Sequence, residues 1–220
     1  MFPRYTESFV LVLLILFFPE GTAKTQGRRP TVRVYVYNNA KTSESVLVDT
    51  AAYVREMFGR AGIELFWVNS MVRIRDGQTE SMDGASFEPG VIRVSLVIVP
   101  RPYQIAPRLR GLDGRMGWTP GGQHTRTYVF YERIQAFVLK NSDRINILRV
   151  PRLLAYAIAH ELGHLLLPSP DTHSKKGIMK SQLDGNDLAE LFSDTLRFSS
   201  EEAQSMMDEI ERRSRQQVNR

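Results

Sequence analysis

The chain has 220 residues, of which 42% are hydrophobic, and its 29 basic and 24 acidic residues give a formal net charge of +5. The basic residues are scattered and do not form a stripe interleaved with aromatic residues, so the charge does not indicate a nucleic-acid partner. The chain contains no cysteine, and its length is sufficient to bury one self-supporting core without disulfides.

The N-terminus has the features of a secretory signal. Residues 9–18 are apolar, and Gly21 and Ala23 supply the small-x-small pattern that precedes a signal-peptidase cut. Ten apolar residues are too few to span a bilayer, so no stable membrane insertion is expected. We predict a signal peptide over 1–23 and a single catalytic domain over 24–220. The protein is then secreted or extracytoplasmic, which means periplasmic in a Gram-negative bacterium, and a monomer is expected.

Three strands and one helix are predicted in the first half of the domain. The alternating β-branched and aromatic residues of 31–37 predict a strand, and Ser43 can cap a helix that ends near 59–62. A second strand is predicted over 63–68. The third, over 91–99, has an almost continuous apolar run that indicates burial on both faces.

The remaining segments alternate between loops and regular elements. The polar residues 70–90 predict a loop, 100–123 is rich in glycine and proline, and 127–131 predicts a strand that leads to the helix over 151–167. His124 is interpreted as a surface residue. Near the C-terminus, Ser199 and Glu202 form a capping-box pattern for a last helix, and the polar tail from Arg212 predicts fraying.

The most informative feature is the pentapeptide His160-Glu161-Leu162-Gly163-His164. At about 3.6 residues per turn, the two histidines lie one above the other on one helix face and can hold one Zn²⁺. Glu161 is rotated by about 100° from His160, which suits it to a water molecule on the metal rather than to the metal itself. The surrounding residues 151–167 are largely apolar, so this helix is buried and its polar groups need partners.

A catalytic zinc site usually takes three protein ligands, and His173 follows the helix closely, with Gly177 and Met179 after it. The stretch from His160 to Met179 resembles the metzincin zinc peptidases, in which HExxHxxGxxH precedes a methionine turn. Among them it is most similar to the short-looped matrixins and archaemetzincins. The resemblance implies that His160, His164 and His173 bind zinc, that Glu161 is the general base and that Met179 is the turn methionine.

The chain departs from the family pattern in the segment before the third histidine. Leu167 stands at the position of the family's glycine, and Pro170 at that of its third ligand. His173 therefore arrives three residues late. The connecting loop must be longer than in the family, with Pro168 and Pro170 making a different turn.

Two other residues are alternatives for the third ligand. Asp171 lies one residue past the family's ligand position, where some metzincin-like peptidases use aspartate. Glu190 and Asp194 resemble the ExxxD element of the gluzincin peptidases, in which a glutamate on a later helix binds the metal. Each also has an ordinary interpretation, Asp171 as a polar loop residue and the Glu190–Asp194 pair as a solvated helix face.

The resemblance also implies a fold and a function. The fold is α+β, with a twisted and mostly parallel sheet, an antiparallel edge strand that accepts peptide substrates, a helix carrying HExxH and a C-terminal helix. The implied function is that of a zinc-dependent endopeptidase in which a zinc-bound water attacks a peptide bond, with Glu161 as general base. The partner is then a peptide or protein substrate. The absence of cysteine excludes a cysteine-switch propeptide.

Three rival functions stay open from the sequence. The first is a catalytically inactive binding protein on the same scaffold, which the late His173 and the missing glycine favour. The second is a gluzincin-type hydrolase with Glu190 as third ligand. The third is a zinc hydrolase that acts on a non-protein amide. The presence of Glu161 argues against the inactive protein, because a purely structural zinc site has no use for that carboxylate.

Overall fold

The structure is a computed structural model that describes residues 29–70, 74–75, 78–79, 91–101, 114–121, 125–141, 149–169 and 173–218. The expected signal peptide, His124 and Asp171 lie outside these residues. Among the helices described, none is both long enough and apolar enough to cross a membrane.

The described residues form seven strands and five helices. The strands are β1 (Thr31–Asn38), β2 (Glu64–Ser70), β3 (Ile74–Arg75), β4 (Gln78–Thr79), β5 (Val91–Val99), β6 (Gly117–Trp118) and β7 (Arg126–Phe130). The helices are α1 (Glu44–Arg60), α2 (Tyr131–Lys140), α3 (Val150–Leu166), α4 (Gly185–Phe192) and α5 (Ser200–Val218).

Five strands form one sheet in the order β2-β1-β5-β7-β6. The first four are parallel, and β6 pairs antiparallel with β7 at the edge. The predicted fold class is therefore confirmed: a mostly parallel sheet with an antiparallel edge strand, a helix that carries HExxH and a C-terminal helix. Within the segment predicted as a loop over 70–90, β3 and β4 form a short antiparallel hairpin.

The main hydrophobic core combines one face of the sheet with α1 and α3. Alternate residues of β1, namely Val32, Val34 and Val36, point into it because side chains of a strand alternate between the two faces. The opposite alternation places Tyr35 and Tyr37 in a second, smaller cluster. Helix α3 is buried nearly all round, as its composition predicts.

One helix was not predicted. Helix α2 follows β7 directly, so the expectation that this strand leads straight into the HExxH helix is wrong. Only Ile134 and Val138 of α2 are buried among its described side chains. Tyr131 and Phe137 also pack against the core, but the N-cap residue Phe130 has no capping side chain, so no local signal separates this helix from the strand before it.

Helix α5 begins as predicted and ends later than predicted. The Ser199 Oγ accepts a hydrogen bond from the Glu202 N–H at 3.1 Å, and the Glu202 carboxylate accepts one from the Ser199 N–H at 2.7 Å, which completes the expected capping box. The residues from Arg212 to Val218 continue the helix, so the expected fraying is wrong for this stretch. Arg213 binds Glu209 and donates to the Leu165 carbonyl of α3 at 2.8 Å, which ties the two helices together.

Candidate metal centre

Two imidazoles of α3 meet at the surface of the core. His160 is partly buried and His164 is 7% exposed, and their Nε2 atoms lie 3.0 Å apart. The four-residue spacing produces this approach because residues one helical turn apart occupy the same face. The structure therefore brings together the two imidazoles that the sequence predicts as ligands of one ion.

His173 joins them from the segment after the helix. Its ring centroid lies 5.4 Å from that of His160 and 4.8 Å from that of His164. One nitrogen from each of the three rings can be chosen so that all lie within 4.8 Å of one another. Within the described part of the chain, this is the group of side chains that could hold a metal ion.

The protein fixes the orientation of His160. Its Nδ1 lies 2.8 Å from the Ile178 carbonyl oxygen, which can only accept, so the proton is on Nδ1 and the Nε2 lone pair faces the other histidines. Burial lowers the pKa of His160 from its ordinary value. The hydrogen bond to Ile178 raises this pKa and the nearby His173 lowers it, but both effects are smaller than that of burial. The His160 ring is therefore neutral at neutral pH, which is the form that binds a metal.

The donor set fits zinc. Two nitrogens that each lie about 2.0–2.1 Å from a tetrahedral Zn²⁺ are about 3.3 Å apart, close to the separation of the His160 and His164 Nε2 atoms. Three imidazole ligands with a fourth position left for water are typical of a catalytic zinc site rather than a structural one.

The segment that contains Met179 packs against α3. Met179 is fully buried, and its Sδ would lie only 2.4 Å from a Cβ atom placed on Gly163. Glycine at the fourth position of HELGH therefore lets the methionine pack against the helix between the two histidines of the motif. The turn itself needs Gly177, whose φ is +79° and which lies against the Arg197 carbonyl.

Glu161 lies beside the histidines on α3, against the edge strand. Its side chain is 7% exposed, and Thr119 Oγ1 is 2.7 Å from its Oε2. Burial raises the pKa of Glu161 to about 7, although the Thr119 hydrogen bond and the charge of Arg115 act in the opposite direction. A carboxyl group with such a pKa can both take and return a proton near neutral pH.

Two residues of the edge segment hold this carboxylate. A Cβ atom on Gly117 would lie 2.4 Å from Glu161 Cγ, so only glycine allows the carboxylate to sit against the backbone of β6. The Thr119 Oγ1 is also 2.7 Å from the Thr127 Oγ1, which links β7 to the same network. The sequence did not identify Thr119, because it lies 42 residues away from Glu161.

The three histidines and Glu161 open into one cleft of about 630 Å³. Its walls are the edge segment from Gly114 to Gly121, helix α3 and the residues that follow Met179. The apolar residues Phe137, Tyr156 and Leu183 are also part of its lining. The cleft therefore places an open strand edge, a candidate metal site and a buried carboxylate side by side.

The rival ligand Glu190 is not part of this cluster. It lies on the exposed side of α4, and its backbone carbonyl accepts hydrogen bonds from Thr195 and Leu196. Asp194 binds Arg152 Nη2 at 2.8 Å rather than a histidine. The gluzincin arrangement considered from the sequence therefore has no geometric support. Asp171 lies outside the described residues.

No protein-family model matches the sequence, and neither does any curated protein. Among solved structures, the chain is similar to an archaemetzincin from Methanopyrus kandleri, with 15% sequence identity and a TM-score of 0.45. The superposition covers 84% of this chain and 97% of the other. At this level of similarity, the function of the site has to be inferred from its own residues.

Proposed function

We propose that the protein is a zinc-dependent endopeptidase of the metzincin type, similar to the matrixins and archaemetzincins. The observation that carries the proposal is the convergence of three imidazoles and one buried carboxylate on a cleft along an antiparallel edge strand. His160, His164 and His173 are the proposed ligands, and Glu161 is the proposed general base. The fully buried Met179 is the proposed turn methionine.

A bound Zn²⁺ would lower the pKa of a water molecule and polarise the carbonyl group of the scissile peptide. Glu161 takes the proton of the attacking water and returns it to the leaving nitrogen. Thr119 holds Oε2 of the carboxylate by a hydrogen bond. The contact with Gly117 prevents the carboxylate from turning away.

The substrate is proposed to bind as an additional strand. Strand β6 pairs with β7 on one side, and its other edge has no strand partner within the described residues. A peptide that lies along this edge would gain main-chain hydrogen bonds, which tolerate many sequences. One of its side chains would contact the apolar lining residues Phe137, Tyr156 and Leu183.

The proposed location is outside the cytoplasm. It is supported by the apolar stretch over 9–18, the small residues before the expected cut and the absence of cysteine. The proposed unit of function is a monomer that consists of residues 24–220. A test is the N-terminal sequence of the protein recovered from an expressing cell, which should begin at Lys24.

A peptidase assay with metal removal tests the function. The protein that lacks residues 1–23 is expected to cleave internal bonds of a quenched-fluorescence peptide library. Chelation should abolish the activity, and about one equivalent of zinc per chain should restore it. Cleavage that is insensitive to chelation would contradict the proposal. A protein that holds zinc and cleaves no peptide would also contradict the proposal, because an inactive binding protein behaves in this way.

A further inference from the structure

The third imidazole is the least supported part of the metal site. His173 is exposed, and it lies seven residues after the end of α3. The residue that follows it, Ser174, is held by the fold. The Ser174 N–H donates to the Met179 carbonyl at 2.9 Å, and a parallel bridge joins Ser174 to Lys180, so residues 174–180 form a closed loop.

This loop orients two imidazoles at once. His173 immediately precedes its first residue, and the Ile178 carbonyl within it receives the Nδ1 proton of His160. The Ile178 N–H in turn donates to the Arg197 carbonyl at 3.0 Å. A shift of the loop would therefore move two of the three nitrogens that face the proposed metal.

A carboxylate of α5 anchors the start of the loop. The Ser174 Oγ donates to Oε1 of Glu202, whose side chain is 7% exposed. The other oxygen of Glu202 is held by the Ser199 N–H within the capping box. The carboxylate is thus fixed by the helix and has one oxygen left for Ser174.

We propose that Glu202 is a positioning residue of the zinc site, which it controls by holding Ser174 and through it His173. The inference rests on the proposed zinc site and extends it to the C-terminal helix. A capping box needs only one acceptor oxygen at this position, so the bond to Ser174 is additional to it. This bond accounts for how the exposed His173 is held near the other two imidazoles. By reciprocity, zinc binding stabilises the first turn of α5.

The test is the zinc affinity of Ser174→Ala, measured by competition with a chromophoric chelator. This variant removes the bond to Glu202 and leaves the capping box intact. We expect zinc to bind about tenfold more weakly, at the lower end of the effect of residues that orient metal ligands. Ser174→Thr keeps the hydroxyl and should restore the affinity. The matched control is Ser193→Ala. The Ser193 hydroxyl donates to the Ala189 carbonyl of α4, so this variant should bind zinc as the native chain does.

Hydrogen exchange provides a readout that does not depend on activity. In the native chain, zinc should slow amide exchange in the first turn of α5, and in Ser174→Ala this slowing should be lost. Unchanged zinc affinity and unchanged exchange in Ser174→Ala would overturn the positioning role while leaving the zinc site in place. A native chain that binds no zinc would instead overturn the proposed function itself. The two failures are therefore distinguishable.

Discussion

Replacing Glu161 by glutamine is expected to lower kcat for peptide cleavage by about 10²–10⁴-fold while zinc stays bound. Glutamine has nearly the same shape and can still accept the hydrogen bond from Thr119, so the cleft keeps its structure. An amide cannot take a proton from water at neutral pH, however. Steady-state kinetics on the peptide that the native chain cleaves best, together with zinc analysis of the same sample, would check both parts.

The matched control for this variant is Glu211→Gln. Glu211 is an exposed glutamate on α5 whose partner is Arg215, and its loss should leave both activity and zinc content unchanged. If Glu161→Gln retains full activity with its zinc, Glu161 is not the base. If the variant loses its zinc, Glu161 takes part in binding the metal, which its observed position against Gly117 does not predict.

Replacing His173 by alanine should weaken zinc binding by more than about 100-fold. The change removes one of three protein ligands, and even residues that only orient ligands alter metal affinity by about 10–100-fold. The ring of His173 lies outside the helix and is exposed, so the zinc-free variant should fold with a thermal midpoint close to that of the zinc-free native chain. Chelator competition and thermal unfolding with and without zinc measure the two effects.

Two controls distinguish the alternatives for the third ligand. Glu190→Ala changes an exposed position of α4, so it should leave zinc affinity unchanged and alter stability by at most about 0.5 kcal/mol. Asp171→Ala should also bind zinc normally. A large loss of affinity in either control, with His173→Ala unaffected, would reverse the assignment of the third ligand.

Local patterns were sufficient to predict most of the fold. The continuous apolar run of β5 and the alternation along β1 are patterns that span only a few residues. Both strands lie where these patterns indicate. The capping box of Ser199 and Glu202 is equally local. Helix α2 could not be predicted in this way, because it follows β7 directly and its N-cap residue, Phe130, has no capping side chain to mark its start.

The site was predictable only where its residues are close in sequence. His160, Glu161 and His164 share one helix, and a fixed helical period places them. Other contacts around the site join residues that are far apart in sequence. Thr119 lies 42 residues from Glu161, and Glu202 lies 28 residues from Ser174, the neighbour of His173. Such contacts depend on how the edge strand and the C-terminal helix pack against α3, and no local pattern encodes that packing.

The most direct test of zinc binding by the three histidines is X-ray absorption at the zinc edge. The sample is the chain that lacks residues 1–23, loaded with zinc. The predicted result is one zinc per chain, bound by three imidazole nitrogens and one further light atom at about 2.0–2.1 Å. In His173→Ala, one imidazole should be missing from that shell. A native chain that retains no zinc after loading, or a shell with two imidazoles and a protein carboxylate, would contradict it.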